Sequence, residues 1–140
     1  MTNLSVAENK ISSVKKYLSI LESYRNHSVE EIKRDATLRG AIERYLYLVC
    51  KTAIDLTEVI ISVSKFRKPT TMSESFVILE EEGVIGADLK ARMAKLVALL
   101  NVLAHEYEEI NYEVLYDVLR SRLQDITEFV ETAEMFLNLK

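Results

Sequence analysis

The run LRGAIERYLYLVCKTAIDLTEVIISV, from Leu38 to Val63, decides the fold. Its apolar residues Leu38, Ile42, Leu46, Val49, Ala53, Leu56, Ile60 and Val63 recur at steps of three and four, which lays one stripe along a long α-helix. Tyr45, Leu48, Ile54 and Ile61 add apolar surface beside that stripe, so the helix should be covered on more than one side and sit at the centre of a bundle. Asp55 in this apolar neighbourhood should seek a hydrogen-bonding partner. The chain's single cysteine, Cys50, cannot form an intramolecular disulfide and fits a small, inert core position.

The same spacing extends outward in both directions. Before the central run, Leu4, Ala7, Ile11, Val14, Leu18 and Leu21 form a second stripe. Ser28 with Glu31 three residues on makes a capping box and predicts a short helix from about Val29 to Arg34, after which Asp35 caps the central one. The central helix must end before Pro69. Thr71 or Ser73 can then start a short helix through Phe76, Ile78 and Leu79, with Gly83 as its left-handed stop. Asp88 opens another long segment with the stripe Leu89, Met93, Leu96, Leu100 and Leu103, continuing toward Tyr107. Asn111 can cap the last helix, whose buried side is Leu115, Leu119, Ile126, Val130, Ala133 and Leu137. Four long helices with short connections specify an all-α fold, an antiparallel four-helix bundle with additional short helices.

Composition agrees with a single helical domain over residues 1–140. Three glycines and one proline leave few turns, and 49% apolar residues are enough for one core. The N-terminal Met1-Thr2-Asn3-Leu4 leads directly into an amphipathic pattern, and no apolar run is long enough to span a bilayer, so a soluble cytoplasmic protein is expected. A formal net charge of −4 argues against a dedicated nucleic-acid binder without excluding a local basic cleft. Lys65, Arg67 and Lys68, and likewise Lys90, Arg92 and Lys95, read as solvated helix ends and faces in preference to an RNA track.

The chemistry-bearing residues concentrate in Leu100-Asn101-Val102-Leu103-Ala104-His105-Glu106-Tyr107. Helical spacing puts Asn101 and His105 on one side, displaced from the stripe that carries Leu100 and Leu103. Ala94 and Ala98 continue that side, and their small side chains would let another backbone approach, so a contact seam between two protomers is expected there. Taken alone, His105 reads as a histidine near a helix C-terminus and Tyr107 as the end of an apolar stripe. Two histidines without a convergent cysteine or acidic set give no metal site, and no glycine-rich phosphate loop is present, so neither metal nor cofactor is expected.

Three stretches, Leu38 to Leu46, Phe76 to Ile85, and Asn101 to Tyr107, occur in an order and spacing that resembles the HEPN superfamily, specifically its HepT-like toxin branch. The resemblance runs from about Leu4 to Phe136. It implies a homodimeric helical bundle with a cleft between protomers, in which an arginine, four to six intervening residues and a histidine cleave RNA without metal. The ribose 2′-hydroxyl attacks the adjacent phosphate. His105 would transfer the proton, with Asn101 beside it, and the arginine would neutralise the transition state. The branch also has a tyrosine two positions after the histidine, here Tyr107, which accepts AMP from a minimal nucleotidyltransferase antitoxin. A nucleotide there would fill the cleft and repel RNA.

This chain departs from the pattern at one position. Leu100 stands five residues before His105, where the arginine belongs, and no arginine lies at any position that leaves four to six residues between it and His105. Arg92 is thirteen residues before it, about 20 Å along a helix, and a replacement from a partner protomer, Arg92 or Arg120, has no support in the sequence. Loss of such a stabiliser costs on the order of 100- to 1,000-fold in rate. The leading expectation is therefore a HepT-like toxin component with impaired catalysis. Its rivals are a noncatalytic HEPN module that binds nucleotide, RNA or the transferase in the same cleft, and a purely structural helical adaptor.

Overall fold

The computed structural model describes residues 3–105 and 111–138, with the side chains of residues 3, 104 and 105 outside the description. Every element is helical: α1 (Asn3–Glu22), α2 (Val29–Arg34), α3 (Ala36–Ser64), α4 (Met72–Glu81), α5 (Ala87–His105), α6 (Tyr112–Asp117), a π-helical turn (Val118–Arg122) and α7 (Leu123–Leu137). The central helix α3 packs against α1, α4, α5 and α7. Ile42, Leu46, Leu56 and Ile60 of its main stripe are fully buried, and Ile54 and Ile61 on the adjoining side are buried as well. Each such side chain contributes about 1.5–3 kcal/mol relative to exposure. Cys50 lies in this core, and burial pushes its thiol up to about 12.

Side-chain contacts fix the helix directions. Lys10 pairs with Asp55 at 3.5 Å while the Tyr17 and Tyr45 rings meet at 6.1 Å, so α1 and α3 run antiparallel. Lys15 reaches Glu134 at 2.8 Å and Arg25 reaches Arg120, so α1 is antiparallel to α7 too. Arg39 lies over Tyr112 at one end of the molecule, and Phe66 meets Phe136 at the other, which makes α3 and α7 parallel. The Phe76 and Phe129 rings, edge to face at 5.7 Å, seat α4 against α7. Asp55 finds its expected partners in Lys51, at 2.8 Å, and Lys10. Leu4, at the start of the first stripe, stands exposed at 41%.

The caps follow local chemistry. Ser28 accepts from the Glu31 amide and Glu31 from the Ser28 amide, closing the capping box. Asp35 accepts from the amides of Thr37 and Leu38. Thr71 accepts from the Glu74 amide, and Gly83 takes a φ of 76° after α4. Ser28, Asp35 and Thr71 thereby satisfy amides that the first helical turn leaves without partners.

The final helix differs from a single continuous one. Residues Val118–Arg122 form a π turn between α6 and α7. Such a turn displaces carbonyls from the regular ladder, and the Arg25 guanidinium, from beyond the end of α1, takes the Arg120 carbonyl at 2.8 Å.

Glu74 is held well below the usual carboxylate value of 4.5, at about 2, by hydrogen bonds from the Thr70 amide and hydroxyl and then by Arg67. Arg67 also pairs with Glu81, whose carboxyl it lowers. Because these acids are depressed in the folded state, their stabilisation is present above pH 4.5 and is lost as pH falls toward 2. The thermal midpoint should therefore drop across that window, and Glu74→Gln should make the drop shallower in a pH series of melting curves.

Candidate functional site

Helix α5 separates a core face from an exposed one. Leu89, Met93, Leu96, Val97, Leu100 and Leu103 are buried, whereas Ala91, Ala94, Ala98 and Asn101 are exposed. Leu100 is 3% exposed, and the next residue, Asn101, faces solvent. His105 is the last residue of α5, one turn beyond Asn101, and its side chain lies outside the described residues, as does the whole of Tyr107. The expected seam of Ala94, Ala98 and Asn101 is thus on the free surface of α5.

Beside that surface, a groove of about 450 Å³ runs between α5 and the α6–π–α7 strip. Leu99, Val102, Val114 and Val118 line it with apolar surface, and Val102 and Val114 are 37% and 50% exposed. Its polar groups come from Arg92, Lys95, Asn111 and Arg122 and from the carboxylates Asp117 and Asp125. Asn111 also caps α6 by accepting from the Glu113 and Val114 amides, which sets the wall facing the C-terminal part of α5. Arg122 has a long pair to Asp117 at 3.6 Å. Pockets of this size, mostly apolar with a few convergent polar groups, are the usual form of ligand sites.

Comparison with known proteins decides the family. A family model described as Ribonuclease HepT-like matches residues 14–133. The chain belongs to the Ribonuclease HepT-like family. It is 27% identical over 124 residues to the mRNA nuclease HepT of Shewanella oneidensis, covering 88% of this chain and 92% of that protein. It is also 27% identical over 139 residues to the tRNA nuclease HepT of Aphanizomenon flos-aquae, covering 98% and 95%. The solved structure of tri-AMPylated Shewanella oneidensis HEPN toxin in complex with MNT antitoxin shares the fold, with TM-score 0.86 at 24% identity over 96% of this chain and 99% of that one. A toxin-antitoxin structure with AMP-PNP gives the same TM-score at 23% identity, covering 94% and 98%.

Within the HepT-like frame, the position expected to carry the cleft arginine is filled by a core leucine. Arg92 does not compensate. It pairs with Asp88 at 2.9 Å, Asp125 at 2.8 Å and Glu128 at 2.9 Å, and the bonds to Glu128 and then Asp125 raise its pKa further. A guanidinium surrounded by three carboxylates is spent on holding α5 to α7. Lys90 is likewise drawn toward Glu80, and Arg67 is held by Glu74 and Glu81, so these cations behave as structural features. Arg120 is different: it donates to the Arg25 carbonyl at 3.0 Å and lies 5.7 Å over the Tyr116 ring. Sequence reasoning did not single out Arg122, Arg25 or Tyr116. The four-residue spacing of Tyr116 and Arg120 was the available signal for the stacked pair.

The burial of Leu100 has a measurable consequence. Leu100→Ala should cost about 2–5 kcal/mol in urea unfolding, and Leu100→Arg should also lower the midpoint because it removes the leucine from its apolar packing. A Leu100→Arg midpoint equal to that of the native chain would contradict this placement.

Proposed function

We propose that this protein is the toxin component of a toxin-antitoxin pair, a metal-independent RNA endonuclease whose catalytic rate is reduced by the leucine at position 100. The observation that carries this reading is the HepT-like match across residues 14–133, with the ordered Asn101, His105 and Tyr107 pattern falling at and just beyond the end of α5. Its two curated relatives are named as nucleases of mRNA and tRNA. In this reading His105 moves the proton from the ribose 2′-hydroxyl, Asn101 supports the same cleft, and two protomers meet along the exposed Ala94, Ala98 and Asn101 side of α5. The protein acts in the cytoplasm.

The partner is a minimal nucleotidyltransferase, and Tyr107 is the acceptor of the AMP it transfers. Support comes from the similar HEPN toxin, which is tri-AMPylated and bound to MNT antitoxin. Attaching a nucleotide near His105 adds negative charge where RNA must approach. A second reading, a noncatalytic module binding RNA or the transferase through the same surface, is favoured by the burial of Leu100 and the saturation of Arg92.

Incubation with defined RNA in the presence of a chelator separates these readings, using native protein, His105→Ala and Leu100→Arg, each verified as folded by circular dichroism. Slow cleavage by native protein that disappears in His105→Ala is the expected result. Cleavage gained only in Leu100→Arg identifies a disabled nuclease, and inactivity of all three sinks the enzyme reading. Incubation with an active cognate transferase and ATP should add one or more AMP units in intact-mass spectra, and Tyr107→Phe should add none. Light scattering should give twice the monomer mass; a monomer at micromolar concentration would remove the shared cleft.

A further inference from the structure

On the flank of the π turn that faces α1, two arginines hold each other in place without a shared carboxylate. Arg25 donates from Nη2 to the Arg120 carbonyl at 2.8 Å, and Arg120 donates from Nη1 to the Arg25 carbonyl at 3.0 Å. Arg25 Nη1 also bonds Glu22 at 2.8 Å. The Tyr116 ring backs Arg120, and its hydroxyl lies 3.5 Å from Nη1. Among the described residues, Arg120 has no ion pair. The Arg25 Nε is buried without a hydrogen-bond partner. Glu22, Arg25 and Arg120 border a cleft of about 270 Å³ whose walls also include Ser121 and Gln124.

We propose that this cleft binds a phosphate group of an RNA strand, with Arg120 and Arg25 as the receiving cations. Carbonyl acceptors and an aromatic face orient a guanidinium without cancelling its charge. Two guanidiniums against the single carboxylate of Glu22 leave one positive charge in excess. The Arg25 Nε is buried and both of its Nη groups already donate, so the exposed Arg120 is the group an anion meets first, with Arg25 behind it. The planar forks match phosphate oxygens, and the fixed orientation lowers the cost of ordering them on binding. Arg92 shows the opposite arrangement, in which three carboxylates leave no charge to offer.

The anion site stands on the cleft itself, while the assignment of its ligand to RNA rests on the proposed function. In that reading Arg120 is a binding residue that holds the strand and does not touch the reacting atoms. It would anchor RNA on a chain that has lost its cleft arginine. A phosphate borne by a free nucleotide has the same local chemistry, so the test must separate the two sources.

Fluorescence anisotropy with a short labelled 2′-O-methyl RNA, which cannot be cleaved through its 2′-oxygen, measures binding between about 50 and 200 mM salt. Arg120→Gln should weaken binding several-fold and reduce the salt slope by about 0.7, the contribution of one phosphate contact on a single strand. Arg120→Lys should restore most of the slope. Lys16→Gln, which removes an exposed charge elsewhere on α1, should leave both quantities unchanged. Circular dichroism melting verifies that every variant is folded. Native protein that binds RNA with the same affinity and slope as Arg120→Gln overturns the cleft while sparing the RNA reading. If native protein binds AMP or inorganic phosphate through Arg120 but no RNA, the strand assignment and the RNA reading both fall.

Discussion

Burial of α3 on two adjoining sides is the constraint from which the rest of the molecule follows. A helix with Ile42, Leu46, Leu56 and Ile60 on one side and Ile54 and Ile61 beside them cannot expose either without a large hydrophobic cost. Helices α1, α4, α5 and α7 must all reach it, and the short connections between them set alternating directions. One result is that α5 turns its apolar stripe to the core and leaves a row of alanines and Asn101 outside. The candidate surface is what remains after the core has taken the side chains it needs.

That partition gives the leucine at position 100 its meaning. An arginine can extend an aliphatic stem along apolar surface and bring its charged head to a cleft. A leucine at the same position has no such head, and here it joins the core at 3% exposure. The substitution gains packing and removes a cation from the position where the HepT-like pattern places one. Arg92, on the same helix, pairs with Asp88, Asp125 and Glu128 and joins α5 to α7. Position 100 therefore serves the packing of α5.

What the sequence disclosed depended on how local the responsible physics is. The box of Ser28 and Glu31, the cap at Asp35 and the stop at Gly83 involve neighbours within four residues, and they were legible at nearly residue precision. The burial of Leu100 was legible too, because it lies on an unbroken stripe with Leu96 and Leu103. The π turn was not, since Val118, Leu119 and Leu123 keep helical spacing straight through it. Nor was the clamp between Arg25 and Arg120, which joins residues 95 apart and depends on how α1 meets α7. Of the candidate site, the structure places Asn101 on the surface and His105 at the end of α5, while Tyr107 lies outside the described residues.

The net charge of −4 is a poor guide to what this surface can bind, because two contrasting kinds of arginine stand out among its cations. Arg67 and Arg92 each sit among carboxylates, and their charge is consumed in joining elements. Arg39, Arg44 and Arg120 lie over Tyr112, Tyr47 and Tyr116 instead. An aromatic face attracts a guanidinium through its quadrupole and leaves the net charge intact. Summing formal charges treats the two kinds as equal, although only the second retains a local positive field for an anion. The stacked arginines are therefore the ones whose charge stays available to an anion, and their tyrosine partners fix where that charge sits.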